Sequence, residues 1–191
     1  AYPVYFGGIA LNRDAVSPGE PNVSKGIKVR VPGVKSFQML GDALGYIASP
    51  IPFSEAFTSV QTGVVDGVIG SGAEGYYASF RDVTKTFIRM NTHFEVWYLS
   101  INEEIFDELS ENGQKALLEA AANLEAKRWG AAESDQELNE QKLKDAGAEI
   151  VILSDAELAN AAQKIRAEVW PEIVGDLGEE WAKPILAAAT E

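Results

Sequence analysis

One stretch limits what this chain can fold into more than any other. From Ser110 to Ala146 there is no proline, and Leu117, Leu118, Ala121, Leu124, Trp129, Leu138 and Leu143 recur in an otherwise polar segment closed by Gly147. This is the pattern of one uninterrupted helix. At about 1.5 Å per residue it runs roughly 50 Å, longer than a small lobe is wide. Such a rod either bridges two lobes or serves as a dimer contact. A chain of 191 residues has room for one sizeable domain or two small lobes.

Strand and helix signals alternate around the rod, which predicts an α/β fold. AYPVYFGGIAL opens the chain as an abrupt strand, and Asn12 to Lys25 is a polar loop. GIKVRVP alternates Ile27, Val29 and Val31 against Lys28 and Arg30, and stops at Pro32-Gly33. Ser36 to Leu44 has helical spacing with Gly45 as its cap, Tyr46 to Pro52 is extended, and Ser54 to Gly63 is a short helix. Val64 to Ile69 reads as a strand, Tyr76 to Thr86 as a helix, and Phe94 to Ile101 as a strand with Trp97-Tyr98 in the core. Ala148 to Leu153 is the last strand; Ser154-x-x-Glu157 is a capping box opening a helix that Pro171 breaks.

Composition removes several classes of chemistry. Zero cysteines exclude disulfides, thiolate metal sites and cysteine nucleophiles, and a single histidine, His93, leaves no pair for a classical zinc site. A net charge of −13 without a basic stripe argues against nucleic acid as a partner. No apolar run reaches the roughly 18 residues that span a bilayer. No basic-then-apolar leader opens the sequence, so any secretion signal is expected to have been removed.

Candidate sites remain. Gly70, Gly72 and Gly75 in VDGVIGSGAEGYY spell G-x-G-x-x-G after a strand, the fingerprint of an NAD(P)-dependent oxidoreductase. Two tyrosines follow the third glycine at once, and the acid expected about 20 residues on is missing, so a glycine loop lining some other pocket stays the competing reading. His93 fits a hydrogen-bonded histidine at a strand entrance better than a triad base, since no G-x-S-x-G elbow precedes it. Arg30 offers a rigid fork suited to a carboxylate; a surface strand arginine is the other reading. Glu74 and Glu95 are candidate acceptors in a chain rich in acids.

Several stretches in order resemble the solute-binding proteins of TRAP (tripartite ATP-independent periplasmic) transporters, the DctP-like family. They are Gly26-Ile27-Lys28-Val29-Arg30-Val31-Pro32, then Pro50-Ile51-Pro52-Phe53-Ser54-Glu55-Ala56-Phe57, then Val60-Gln61-Thr62-Gly63-Val64-Val65-Asp66-Gly67, followed by Asn91-Thr92-His93, Asn102, the LSENGQKALLEAAANLEAK helix and the AGAEIVIL strand. The resemblance covers essentially the whole chain, which matches only about the last three-fifths of such proteins.

The resemblance implies a periplasmic-binding-protein-like two-lobe architecture with a long lobe-bridging helix and the first lobe largely missing. Residues 1–94 and 147–191 would form the second lobe, and 95–146 would return to the first through the bridge. It implies a periplasmic, non-enzymatic protein that needs no cofactor or metal, captures an organic acid and delivers it to membrane permease subunits. Under it Arg30 forms a salt bridge to the solute carboxylate, Phe53 lies beside the ligand, and Asp66-Gly67 turns at the cleft edge. The family's carboxylate-binding asparagine is replaced by Gly70, so Tyr76 or Tyr77 would shape the widened pocket, and the solute would be a different, bulkier or aromatic acid. A homodimer through the long helix is the remaining partner expectation.

Overall fold

The structure, a computed structural model, describes residues 1–190. In chain order its elements are β1 (Tyr2–Leu11), β2 (Lys28–Val31), α1 (Lys35–Ala43), β3 (Ile47–Pro50), α2 (Phe53–Gln61), β4 (Gly67–Gly72), α3 (Ala73–Phe80), β5 (Thr86–Arg89), β6 (Phe94–Trp97), α4 (Glu103–Asp107), α5 (Glu111–Asp145), β7 (Glu149–Ile152), α6 (Asp155–Glu168), α7 (Trp170–Leu177) and α8 (Glu179–Thr190). The α/β reading holds. Strands order as β3-β2-β4-β1-β5-β7, with β6 added along β1. β2 is parallel to β3 and β4, β5 is parallel to β7, and β1 runs antiparallel to all its neighbours.

Alternation along the strands builds two apolar layers. Val29, Val31, Ile69 and Ile88 face one way and pack with Leu40 of α1 and Ala161 of α6. Val68 and Phe87 face the other way, against Ala56 and Val60 of α2, Tyr76 and Phe80 of α3, and Leu143 of α5. β1 belongs to both halves of the sheet. Its second half, from Gly7 to Leu11, pairs with β4 and β5, whereas Tyr2 to Phe6 pairs with β6.

The long helix forms where its sequence places it. Ser110 caps it by accepting the Gly113 N–H at 3.2 Å, and Gly147 follows with φ +101°, a conformation glycine adopts without steric cost. Only its last third is buried, at Gln136, Asn139, Glu140 and Leu143. Leu118 and Trp129 stay 60% and 55% exposed, although the Trp129 ring meets Phe94 with centroids 6.0 Å apart. Trp97 and Tyr98, expected in the core, are exposed as well.

Several boundaries differ from the sequence reading, among them that of β6, which ends at Trp97 and not at Ile101. β4 begins at Gly67 and extends through Gly72, because Asp66 pins its entry: the Asp66 carboxylate accepts the Lys28 N–H at 2.9 Å and pairs with Arg13 at 3.2 Å. Asp66 therefore lies at the start of β4 and not at the end that carries Gly70. β5 lies in a stretch to which the sequence reading assigns no element beyond Thr86, and the helix expected up to Thr86 ends at Phe80. Phe87 and Ile88 are both fully buried on opposite faces, and a doubly covered strand has no alternation to show. Finally α3 starts at Ala73, three residues early. The capping box at Ser154 and Glu157 is present, and Pro171 opens α7.

Candidate functional site

In open sheets of this kind ligands sit beyond the carboxyl ends of the parallel strands. Arg30 stands there, one residue from the end of β2, on the α2 and α3 face. It is only 4% exposed, so it is no surface arginine. Its Nε donates to the Ile51 carbonyl at 2.7 Å, and its Cζ lies 5.7 Å from the centre of the Phe53 ring. Among the described residues no carboxylate pairs with it. Burial lowers its pKa from the usual arginine value, with Tyr76 opposing the shift; an arginine still keeps its proton at any physiological pH. The result is a sheltered cation whose outer nitrogens are free to meet an anion.

Phe53 opens α2, preceded by Pro52 as cap. Its ring is 55% exposed and rests edge-on against Phe80, with centroids 5.8 Å apart. Phe80 is itself buried, so the exposed ring has a firm support.

Gly70 completes this corner. Gly8 of β1 faces Ser71 while Ile9 faces Ile69, which leaves Gly70 as the extra residue of a β-bulge. Bulges bend a strand and redirect its neighbours, often beside functional sites. Gly70 has φ +109°, and a Cβ there would sit 2.6 Å from Pro32 Cγ and 3.6 Å from Arg30 Nη1. No side chain fits without moving Pro32. Gly70→Ala is therefore expected to destabilise the protein by about 1–3 kcal/mol, from left-handed strain plus overpacking. Chemical denaturation would check this; an unchanged midpoint would mean that the bulge is slack.

Tyr76 supports the bulge from below. Its ring is fully buried, and its hydroxyl accepts the Ser71 N–H at 3.2 Å and lies 3.0 Å from the carbonyls of Gly8 and Val68. Tyr76 thus reaches the site through the backbone and not with a free hydroxyl. Tyr77 is half-buried, with Arg81 and Lys142 near its ring. Glu74 is exposed in the first turn of α3. Glu95, on β6, accepts the Trp97 Nε1–H at 3.0 Å and lies 3.7 Å from His93. The structure brings Arg30, Phe53 and Gly70 together and gives neither acid a contact with Arg30. Sequence reasoning overlooked the Ile51 carbonyl and Pro32, which orient the fork and close its flank. Both lie in the quoted proline motifs, but the β2–β3 pairing is what brings Ile51 to Arg30, and the β2–β4 pairing is what sets Gly70 against Pro32.

His93 belongs to a separate apolar concavity of about 370 Å³ on the opposite face of the sheet, walled by Phe37, Leu40, Val169, Trp170 and Trp181. Its Nδ1 is 2.9 Å from Thr92 Oγ1, and its ring meets Phe37 edge-on at 5.0 Å. Burial lowers its pKa below the ordinary histidine value, partly offset by Glu95. In acid the unfolded chain therefore takes up a proton near pH 6.5 that the folded chain does not. Stability from this residue is complete above that pH and falls as the pH drops through 6.5 towards the lower folded value. Melting temperatures measured between pH 7.5 and 5.5 should decline, and His93→Gln should flatten the decline. An identical slope in the variant would assign the decline to other groups.

The fingerprint glycines do not form a phosphate loop. Gly70 and Gly72 are strand residues, the Ser71 N–H is taken by Tyr76, and Glu74 places a negative charge in the first turn of α3. The oxidoreductase alternative has no support.

Comparison with known proteins shows the family. Residues 20–175 match the family model described as bacterial extracellular solute-binding protein, family 7, DctP. The chain belongs to this family. A solute-binding protein of Roseobacter denitrificans is 35% identical over 168 residues, covering 83% of this chain and 50% of the relative. A crystal structure of a TRAP periplasmic solute-binding protein from the same organism, with bound L-galactonate, superposes with a TM-score of 0.73 at 28% identity, covering 100% of this chain and 60% of that one. The sugar acid binding protein of Advenella mimigardefordensis, in complex with galactonate, shares the fold with a TM-score of 0.83 at 24% identity, over 99% of this chain and 60% of its own. The chain thus spans about half the length of the curated relative, and among the described residues no helix is long and apolar enough to cross a membrane.

Proposed function

We propose that this chain is part of the periplasmic solute-binding component of a TRAP transporter, a non-catalytic receptor that captures an organic acid and delivers it to the membrane permease. The observation that carries the reading is the Arg30 fork, buried at the carboxyl edge of the sheet with no carboxylate paired to it among the described residues. A cation in that position is stabilised when a ligand supplies the missing charge. The solute of the Roseobacter relative, L-galactonate, is such an anion, and the family relation supports the permease as partner.

In this reading residues 1–94 and 147–191 form one lobe, and 95–146 reach towards another. The exposed apolar row of Ile105, Leu117, Leu118 and Trp129 supports a covering layer on α4 and α5, supplied by a second lobe or by a second copy of the chain. Closure of two lobes around a solute is a hinge motion that the ligand favours through its contacts with both. The chain works without cofactor or metal, and its charge of −13 makes nucleic acid an unsuitable partner.

Titration calorimetry with galactonate and with galactitol, its uncharged polyol counterpart, tests the reading. Galactonate is expected to bind and galactitol to give no heat at the same concentration. Equal binding of the two would remove the carboxylate from the recognition.

A further inference from the structure

Carboxylate capture leaves the apolar hollow beside His93 unused. The hollow lies on the α1 and α6 face of the sheet, whereas Arg30 lies on the other face with α2 and α3. We propose that this hollow is a ligand site of its own, for a neutral aromatic compound that carries one hydroxyl or carbonyl end.

Size and lining lead to it. Protein interiors rarely leave voids larger than a water molecule, yet this one holds about 370 Å³, within the range of small-molecule pockets. Three helices each turn an apolar stripe towards it. Ile165 comes from α6, Trp170, Ile173 and Val174 from α7, and Trp181 and Ile185 from α8. Their spacing of three and four residues is that of a buried helix face, but Trp181 and Ile185 stay 62% and 52% exposed. The stripes meet around a space that they do not fill. Phe37 and His93 also line it, so four rings surround the space and offer an aromatic guest edge and face contacts.

The hydroxyls of the lining are gathered at one end. Thr92 Oγ1 is 2.9 Å from His93 Nδ1, and the His93 ring rests edge-on against Phe37, the chain neighbour of Ser36. Ser36 and Thr92 both line the hollow. Ser36 also stands in the first turn of α1, which has no side-chain cap at Val34 and no acid. The positive end of that helix therefore favours an oxygen acceptor. A ligand with one oxygen at this end and a ring beyond it matches both halves of the hollow.

Charge decides between a neutral compound and an ion. Among the described lining residues there is no lysine, arginine, aspartate or glutamate. Burial holds His93 below the ordinary histidine value, so it is neutral at pH 7. Lys35, beside Ser36, is paired with Asp176 at 2.8 Å and lies 3.6 Å from Glu172. A carboxylate would lose its water in the hollow and gain no cation, and an ammonium would find no acid there.

The test titrates p-cresol, toluene and p-toluate into the protein and follows the NMR resonances of residues around the hollow. The three share a methylated ring and differ at one end, which is a hydroxyl, nothing or a carboxylate. p-Cresol is expected to bind tightest there, about two- to tenfold ahead of toluene through one hydrogen bond. p-Toluate should be weaker than p-cresol by about tenfold or more, and any shifts it causes around Arg30 report the solute site instead. Val174→Trp on α7 and Ile185→Trp on α8 fill the space and should each remove the p-cresol shifts, while Arg30→Met leaves them in place. p-Toluate matching p-cresol at the hollow would overturn the neutral class. Toluene matching p-cresol would overturn the polar end. The site itself is overturned if p-cresol shifts nothing around the hollow. It is overturned equally if those shifts survive in a filled variant that keeps the dispersed spectrum of the unaltered protein.

Discussion

Replacing Arg30 by methionine is expected to abolish acid binding and leave the fold intact. The substitution keeps an unbranched apolar stem of similar bulk and removes the charge. Losing one member of a buried, hydrogen-bonded charge pair costs about 2–5 kcal/mol, or some thirtyfold to several thousandfold in Kd. Stability without ligand should move the other way or not at all. The cation is 4% exposed and has no acidic partner among the described residues, so its desolvation opposes folding until a solute arrives, and the single bond to the Ile51 carbonyl offsets only part of that. Calorimetry and thermal melting on the same samples would separate the two effects. Retained affinity in Arg30→Met would sink the role assigned to this residue. A collapse of the melting temperature would show that Arg30 is structural, held by contacts other than those identified.

How much of this was legible in the sequence depends on the range of the interaction concerned. The alternation of Ile27, Val29 and Val31, the helical spacing after Ser36 and the uninterrupted segment from Ser110 are local patterns, and each element appears where its pattern lies. The capping box at Ser154 is local too. β5 was hidden because both its faces are covered, which erases the period a strand would otherwise show. Arg30 was readable as a fork but not as a buried one. Its shelter comes from Phe53 and the Ile51 carbonyl, more than twenty residues away, delivered by the β2–β3 pairing. Gly70 was readable as a missing side chain, whereas the contact with Pro32 that forbids one is visible only when β2 and β4 lie side by side. Trp97 and Tyr98 read as core and are exposed, because sequence patterns report which residues seek burial and are silent about what supplies it.

Tyr76→Phe should produce the largest loss of stability among substitutions at this site, about 2–4 kcal/mol. The ring would stay, packed 6.0 Å from Phe80 and 5.9 Å from Phe87 between centroids, so apolar burial hardly changes. The hydroxyl holds one proton, which it gives to either the Gly8 or the Val68 carbonyl while it accepts the Ser71 N–H. Its removal strands a donor and an acceptor in a dry interior, and each unsatisfied group costs about 1–3 kcal/mol. For a domain of this size the melting temperature should fall by about 5–15 °C. These contacts hold Ser71 and Gly8 on either side of the Gly70 bulge, and the bulge sets the wall beside Arg30. Acid affinity should therefore weaken several-fold in a variant that touches no ligand, through positioning alone. Lost stability with unchanged affinity would confine Tyr76 to the core. A melting temperature equal to that of the unaltered protein would show that the bulge is held by its strand neighbours and not by the hydroxyl.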